Sequence, residues 1–185
     1  MNVIFLDFDG VLDTIHYSSY EDIERRIKIL GIICKEFNSK VVIEASAKDA
    51  IDEETMETKS KWINDIFDLF KKYGIECIGR TPNVTKRFNE YRYLPMWKED
   101  EIRLYLFNHP EIEHYCVIDD DDLEGYNSDL NKVRNHLVKT IYCSNNKDEE
   151  GLLLSHKEEV RKALEKENEL RSIAIKRRNK TKLTK

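Results

Sequence analysis

Apolar residues fall into two kinds of pattern along the chain. Runs rich in Val, Ile, Phe and Tyr at 2–6, 40–43, 75–78, 115–118 and 137–142 are nearly continuous rather than alternating, as in strands covered on both faces. Between them the apolar positions recur at helical spacing. Over 21–37 the residues Ile23, Ile27, Leu30 and Cys34 share one stripe, and over 59–73 Ile63, Ile66, Phe67 and Phe70 do the same. The segment 98–108 turns Ile102, Leu106 and Tyr105 inward. It stops before Pro110, whose ring disfavours helical geometry at the preceding residue. A last helix is announced by Ser155-His156-Lys157-Glu158, a capping box whose serine and glutamate satisfy free backbone donors. Strands alternating with helices predict an α/β fold with a parallel sheet and right-handed crossovers. In such sheets the ligand site lies beyond the carboxyl ends of the strands, near a topological switch point.

Composition narrows this picture. A chain of 185 residues suffices for one domain with a sizeable core. We take 1–165 as that domain and 166–185 as the end of the last helix with a basic tail. Charged residues make up 36%, well above the usual quarter, which fits a soluble protein with a heavily charged surface. No apolar run approaches the roughly 20 residues of a membrane span, and the N-terminus lacks a basic region and cleavage site. The expectation is a cytoplasmic protein with no membrane contact. Cys34, Cys77, Cys116 and Cys143 form no C-x-x-C pair and read as reduced structural thiols. The net charge of -5 argues against a broad nucleic-acid-binding face, although 176–182 is strongly basic. That stretch is either a solvated tail or a polyanion contact.

The chemistry should lie in the residues that follow each strand. After the first comes Asp7-Phe8-Asp9-Gly10, two acids one residue apart with a glycine that allows a sharp turn. A carboxylate directly after a buried strand is costly unless a metal or donor satisfies it. After the fourth comes Asp119-Asp120-Asp121-Asp122, which repels itself unless solvated or bound to a cation. If the two strands are neighbours, their carboxylates form an all-oxygen set suited to Mg2+. After the second strand Ser46 and Lys48 offer a hydroxyl and an ammonium group. After the third, Arg80 and the more distant Lys98 supply positive charge. Together these groups can receive a phosphate.

In this pattern the chain resembles the haloacid dehalogenase-like (HAD) superfamily. Asp7-Phe8-Asp9-Gly10-Val11 is similar to its first motif, Ser46 to the second, Lys98 to the third and Val117-Ile118-Asp119-Asp120 to the fourth. More narrowly, Gly79-Arg80-Thr81-Pro82, Lys98-Glu99-Asp100-Glu101-Ile102, the acid run and Gly151-Leu152 resemble the HAD domains of bacterial "Swiss Army Knife" RNA-repair proteins, over about residues 1–165. Relatives tend to carry a serine run followed by Trp-Arg after the second strand, where this chain has Glu44-Ala45-Ser46-Ala47-Lys48. Glu44 would weaken phosphate binding if it faced the site.

The resemblance implies a HAD-like Rossmannoid three-layer α/β/α sandwich, with a five-stranded parallel sheet of order 3-2-1-4-5 and no large cap domain. It implies Asp7 as nucleophile, Asp9 as general acid–base, and Ser46 and Lys98 as holders of the transferring oxygens. Mg2+ would be bound by Asp7, Asp9 through its carbonyl, and Asp119 or Asp120. Gly10, Lys48, Arg80, Lys86 and Arg87 are the expected substrate contacts. Segment 83–97, with Arg92, Tyr91, Tyr93 and Trp97, either contacts substrate or packs onto the core. The partner is a phosphorylated substrate: a nucleic-acid end is one reading, a small molecule or mononucleotide another, and a non-catalytic binding module a third. A receiver domain fits less well, because no acid follows the third strand.

Overall fold

The structure is a computed structural model that describes residues 1–83, 98–123, 133–168, 170, 171 and 175. Its strands are β1 (Asn2–Leu6), β2 (Ser39–Ile43), β3 (Cys77–Arg80), β4 (His114–Asp119) and β5 (Leu137–Lys139). They form one five-stranded sheet of order β3-β2-β1-β4-β5, with every neighbouring pair parallel. Connections therefore run outward in both directions from β1, and the switch point of the sheet lies between β1 and β4.

Among the described residues the named α-helices are α1 (Tyr20–Phe37), α2 (Lys61–Lys72), α3 (Lys98–Asn108) and α4 (Lys157–Leu164). Alternate residues of β1 enter different layers. Ile4 and Leu6 pack with Ile27 and Leu30 of α1, Ile66 and Phe70 of α2 and Val160 of α4. Val3 and Phe5 pack on the other side with Ile102, Tyr105 and Leu106 of α3. Both faces of the sheet are thus covered, which is why its strands lack alternation. Cys34 and Cys116 are buried, Cys77 is half-buried and Cys143 exposed, all with free thiols. No helix among the described residues is long and apolar enough to cross a membrane.

Helix ends follow local chemistry. Ser19 caps α1 by accepting from the Asp22 N–H at 3.2 Å, and Asn38 closes it in the left-handed region at φ 48°. At the end of α2, Gly74 takes φ 69°. The Ile75 N–H then reaches the Phe70 carbonyl at 2.8 Å, and the Gly74 N–H reaches that of Lys71 at 3.2 Å. This double closure is a Schellman motif.

Three expected boundaries are corrected. The third strand begins at Cys77, not at residue 75, because Ile75 is used by the Schellman closure. The fifth ends at Lys139, not at residue 142, because its partner β4 ends at Asp119, opposite Lys139. Ser155 does not cap the last helix. A 3-10 turn, Leu154–His156, leads into α4, and the His156 ring accepts the Leu153 N–H at 3.0 Å. Beyond α4, Asn168 is buried and donates to the Ile112 carbonyl at 2.9 Å. The chain past residue 165 therefore still contributes to the fold.

Candidate active site

Leu6 lies opposite Ile118 in the β1–β4 register, so the next residues, Asp7 and Asp119, stand side by side at the carboxyl ends of the two strands. The ladder continues one step further, with the Asp7 N–H donating to the Ile118 carbonyl at 3.1 Å. Asp7 is 3% exposed and Asp119 0%, while Asp120 is half-buried. One carboxylate oxygen from each of Asp7, Asp119 and Asp120 lies within 4.8 Å of the other two.

Lys98, the first residue of α3, inserts among these acids. Its ammonium group donates to Asp7 Oδ2 and to Asp119 at 3.1 and 3.3 Å, and lies 3.4 Å from Asp121. The second Asp7 oxygen accepts the Phe8 N–H at 2.6 Å, and Asp119 accepts the Asp121 N–H at 2.8 Å. Burial raises the Asp7 carboxyl above its usual range against the pull of Lys98. Burial, with the Asp7 charge added, pushes Asp119 up to about 7. For Lys98, burial opposes the charge, but Asp7 and Asp119 outweigh it and hold the ammonium well above its ordinary value.

The turn after β1 fits against the second acid cluster. The Leu12 N–H returns to the Phe8 carbonyl and the Gly10 N–H to that of Asp13, both at 2.8 Å. Gly10 sits at φ +71°, and a Cβ there would fall 2.3 Å from Asp120 Cγ. Asp9 is exposed on this turn, and the Ser46 hydroxyl donates to it at 3.5 Å from the far side, beyond β2.

The structure gives two of the expected phosphate contacts other partners. Lys48 donates to Glu44 at 3.1 Å and to Glu101 of α3, with its side chain only 6% exposed. Glu44 is likewise buried, so it does not meet solvent at the crevice. Burial pushes its carboxyl up to about 8 despite Lys48 and Lys98. Arg80 donates to the Ile51 and Thr81 carbonyls at 2.8 and 3.0 Å and pairs with Glu53 at 3.6 Å. Lys86, Arg87 and the remainder of 84–97 lie outside the described residues, as does the basic stretch 176–182.

Sequence reasoning passed over Arg26, which is fully buried in α1. The signal was present: position 26 is three residues after Ile23 and four before Leu30, within the apolar stripe. The close Asp121–Lys98 contact had no comparable signal.

The carboxyl ends of β1 and β4 thus bring together an acid trio with two buried members, an ammonium group and an exposed acid–hydroxyl pair. A family model described as the HAD domain in Swiss Army Knife RNA repair proteins matches residues 3–144, a span that runs from β1 through β5. Comparison with curated proteins and with solved structures finds no match.

Proposed function

The chain belongs to the family of HAD domains in Swiss Army Knife RNA repair proteins, and on that premise we propose a magnesium-dependent phosphohydrolase with Asp7 as nucleophile. The observation that carries this reading is the trio Asp7, Asp119 and Asp120, with oxygens within 4.8 Å of one another. Lys98 brings one positive charge to a cluster of several carboxylates, so the site favours a further cation. An all-carboxylate donor set suits a hard divalent ion. Asp7, Asp119 or Asp120, and the Asp9 carbonyl would hold it. When bound, magnesium supplies the positive charge that lets an anionic carboxylate approach an anionic phosphoryl group.

The remaining work belongs to the chain's own residues. An Asp7 oxygen forms the new bond to phosphorus as the bond from phosphorus to the ester oxygen breaks, and Asp9 gives that leaving oxygen a proton. Water then attacks phosphorus in the aspartyl-phosphate and loses its proton to Asp9. Inorganic phosphate departs and the Asp7 carboxylate is restored. The Ser46 hydroxyl and the Lys98 ammonium bind the transferring oxygens and hold them in line.

For substrate we favour the phosphate end of an RNA or DNA strand. The family description supports this, as do the aromatic and basic residues at 86–97 in the sequence, which suit stacking and phosphate contacts. The net charge of -5 favours the rival reading, a free mononucleotide or small phosphate ester. One experiment addresses both points: turnover of 3′-phosphate oligonucleotides, 5′-phosphate oligonucleotides and mononucleotides, with and without magnesium, by the wild type and Asp7→Asn. We expect magnesium-dependent turnover with highest efficiency on oligonucleotide ends, and its essentially complete loss in a folded Asp7→Asn protein. Magnesium-dependent activity surviving in that variant would overturn the nucleophile, and a preference for mononucleotides would overturn the end-directed reading.

A further inference from the structure

Arg26 is a charged side chain with 0% exposure in the middle of α1. Its guanidinium donates to the Leu12 carbonyl at 3.1 Å, the Tyr17 carbonyl at 3.0 Å, the Thr14 hydroxyl at 3.3 Å and the Glu150 carbonyl at 3.2 Å. It also lies 5.5 Å from the centre of the Tyr17 ring. All these acceptors are neutral oxygens. Burying a guanidinium on neutral acceptors costs more than placing a methionine or leucine on the same apolar stripe. What the charge achieves instead is geometric, since one planar fork holds several backbone and side-chain oxygens that an aliphatic residue would leave unpaired.

Three of those oxygens belong to the turn carrying Asp9, at Leu12, and to the segment that continues it, at Thr14 and Tyr17. That turn closes on itself through Gly10 to Asp13 and Leu12 to Phe8, so a hold on any part of it bears on the whole. Its outer side is fastened at two adjacent carbonyls. Val11 accepts the Leu152 N–H at 2.9 Å, and Leu12 accepts Arg26. Arg26 also holds the Glu150 carbonyl, two residues before Leu152. The arginine thus joins both sides of this fastening, while Asp9 remains exposed at the inner end of the turn.

We propose that Arg26 is a positioning residue for Asp9, fixing the turn at 8–13 so that the Asp9 carboxyl meets the leaving oxygen. The inference rests on the phosphohydrolase reading, in which Asp9 delivers the proton. Its consequence is selective. The alkoxide of an alkyl phosphate leaves only with a proton, whereas the phenolate of a dinitrophenyl phosphate leaves without one, so loss of Asp9 alignment slows the first ester more than the second.

The test measures kcat and KM for both esters in the wild type, Asp9→Asn, Arg26→Lys and Thr14→Val, beside amide hydrogen exchange of the same proteins. Arg26→Lys keeps the charge but cannot satisfy four acceptors. We expect it to lose kcat/KM, which reports the step in which the ester oxygen departs, on the alkyl ester by about 10-fold more than on the dinitrophenyl ester, in the direction shown by Asp9→Asn. The Gly10 and Leu12 amides should exchange faster while those of β1 and β4 keep their protection. Thr14→Val, which removes one acceptor without enlarging the side chain, should show the same selectivity to a smaller degree and serves if Arg26→Lys does not fold. Equal losses of kcat/KM on both esters, or unchanged exchange of Gly10 and Leu12, would overturn the proposal. Leaving-group selectivity in Asp9→Asn alone sinks the role of Arg26 and leaves the phosphohydrolase reading intact. A wild type inactive on both esters removes that reading and this inference with it.

Discussion

Gly10 is where the two acid clusters of the chain meet. Its φ of +71° disfavours any side chain, and a Cβ would fall 2.3 Å from Asp120 Cγ. Gly10→Ala should therefore have two separable effects. Backbone strain should lower stability by roughly 1 kcal/mol or more. Displacement of Asp120 should also weaken the proposed metal site. Magnesium that binds only the folded protein raises the melting temperature, so we expect that rise in the wild type and a much smaller one in Gly10→Ala. An equal rise in both would show that Asp120 takes no part in metal binding. Sequence alone exposed Asp7 and Asp119 as candidates because an acid directly after a buried strand stands out from its surroundings. It could not show where Lys48 points, since a lysine two residues from a candidate serine is equally able to face a crevice or a buried carboxyl group. Arg26 could have been found from its place in the α1 stripe. A charged residue within an apolar stripe must find polar partners for its head group in the interior.

Among the elements, β1 begins and ends and α3 ends at the residues expected from the sequence, with Asp7 directly after β1 and Lys98 in α3. The sheet order was legible only through the family resemblance, since alternation of strand and helix by itself requires a parallel sheet but no particular order. The ends of β3 and β5 were not, and in each case the deciding interaction is non-local or competes with the strand. Ile75 is as apolar as a strand residue but completes the end of α2, and β5 stops where β4 gives it no further partner. The contact between the 3-10 turn Ser46–Ala50 and α3 also lay beyond sequence reasoning. There Lys48 is shared by Glu44 and Glu101, with all three side chains at most 7% exposed. Removing one partner of a buried charge group is severe because the others keep their desolvation cost. Lys48→Met should lower stability by about 3–5 kcal/mol in urea unfolding, and Lys48→Met/Glu101→Gln should recover part of that loss. A near-neutral Lys48→Met would mean that water already relieves the two carboxyl groups.

On the scale of the whole molecule, the segments after β1 and after β5 are joined away from the sheet by Glu150. Its side chain is fully covered and accepts the His16 ring nitrogen at 2.6 Å, the Ser144 N–H at 2.9 Å and the His16 N–H at 3.4 Å. Burial alone would raise this carboxyl. The Ser144 N–H, with His16 and Thr14, outweighs burial and pushes it down to about 2 from an ordinary 4.5. The folded protein thus binds this proton less readily than the unfolded chain, and folding gains from the ionised form. The gain is complete above pH 4.5 and disappears as pH falls from there towards 2. Urea midpoints measured at pH 5, 4 and 3 should therefore fall for the wild type, with a smaller decline for Glu150→Gln, which is less stable at pH 5 but has no carboxylate to protonate. Because Glu150 and Arg26 fasten the same two segments, the acid loss should begin there. Amides at 14–17 and 144–151 should lose hydrogen-exchange protection at pH 3 before those of β1 and β4 do. Parallel declines in the two proteins would assign the acid sensitivity to other carboxylates, and protection lost first in the sheet would remove this junction as its origin.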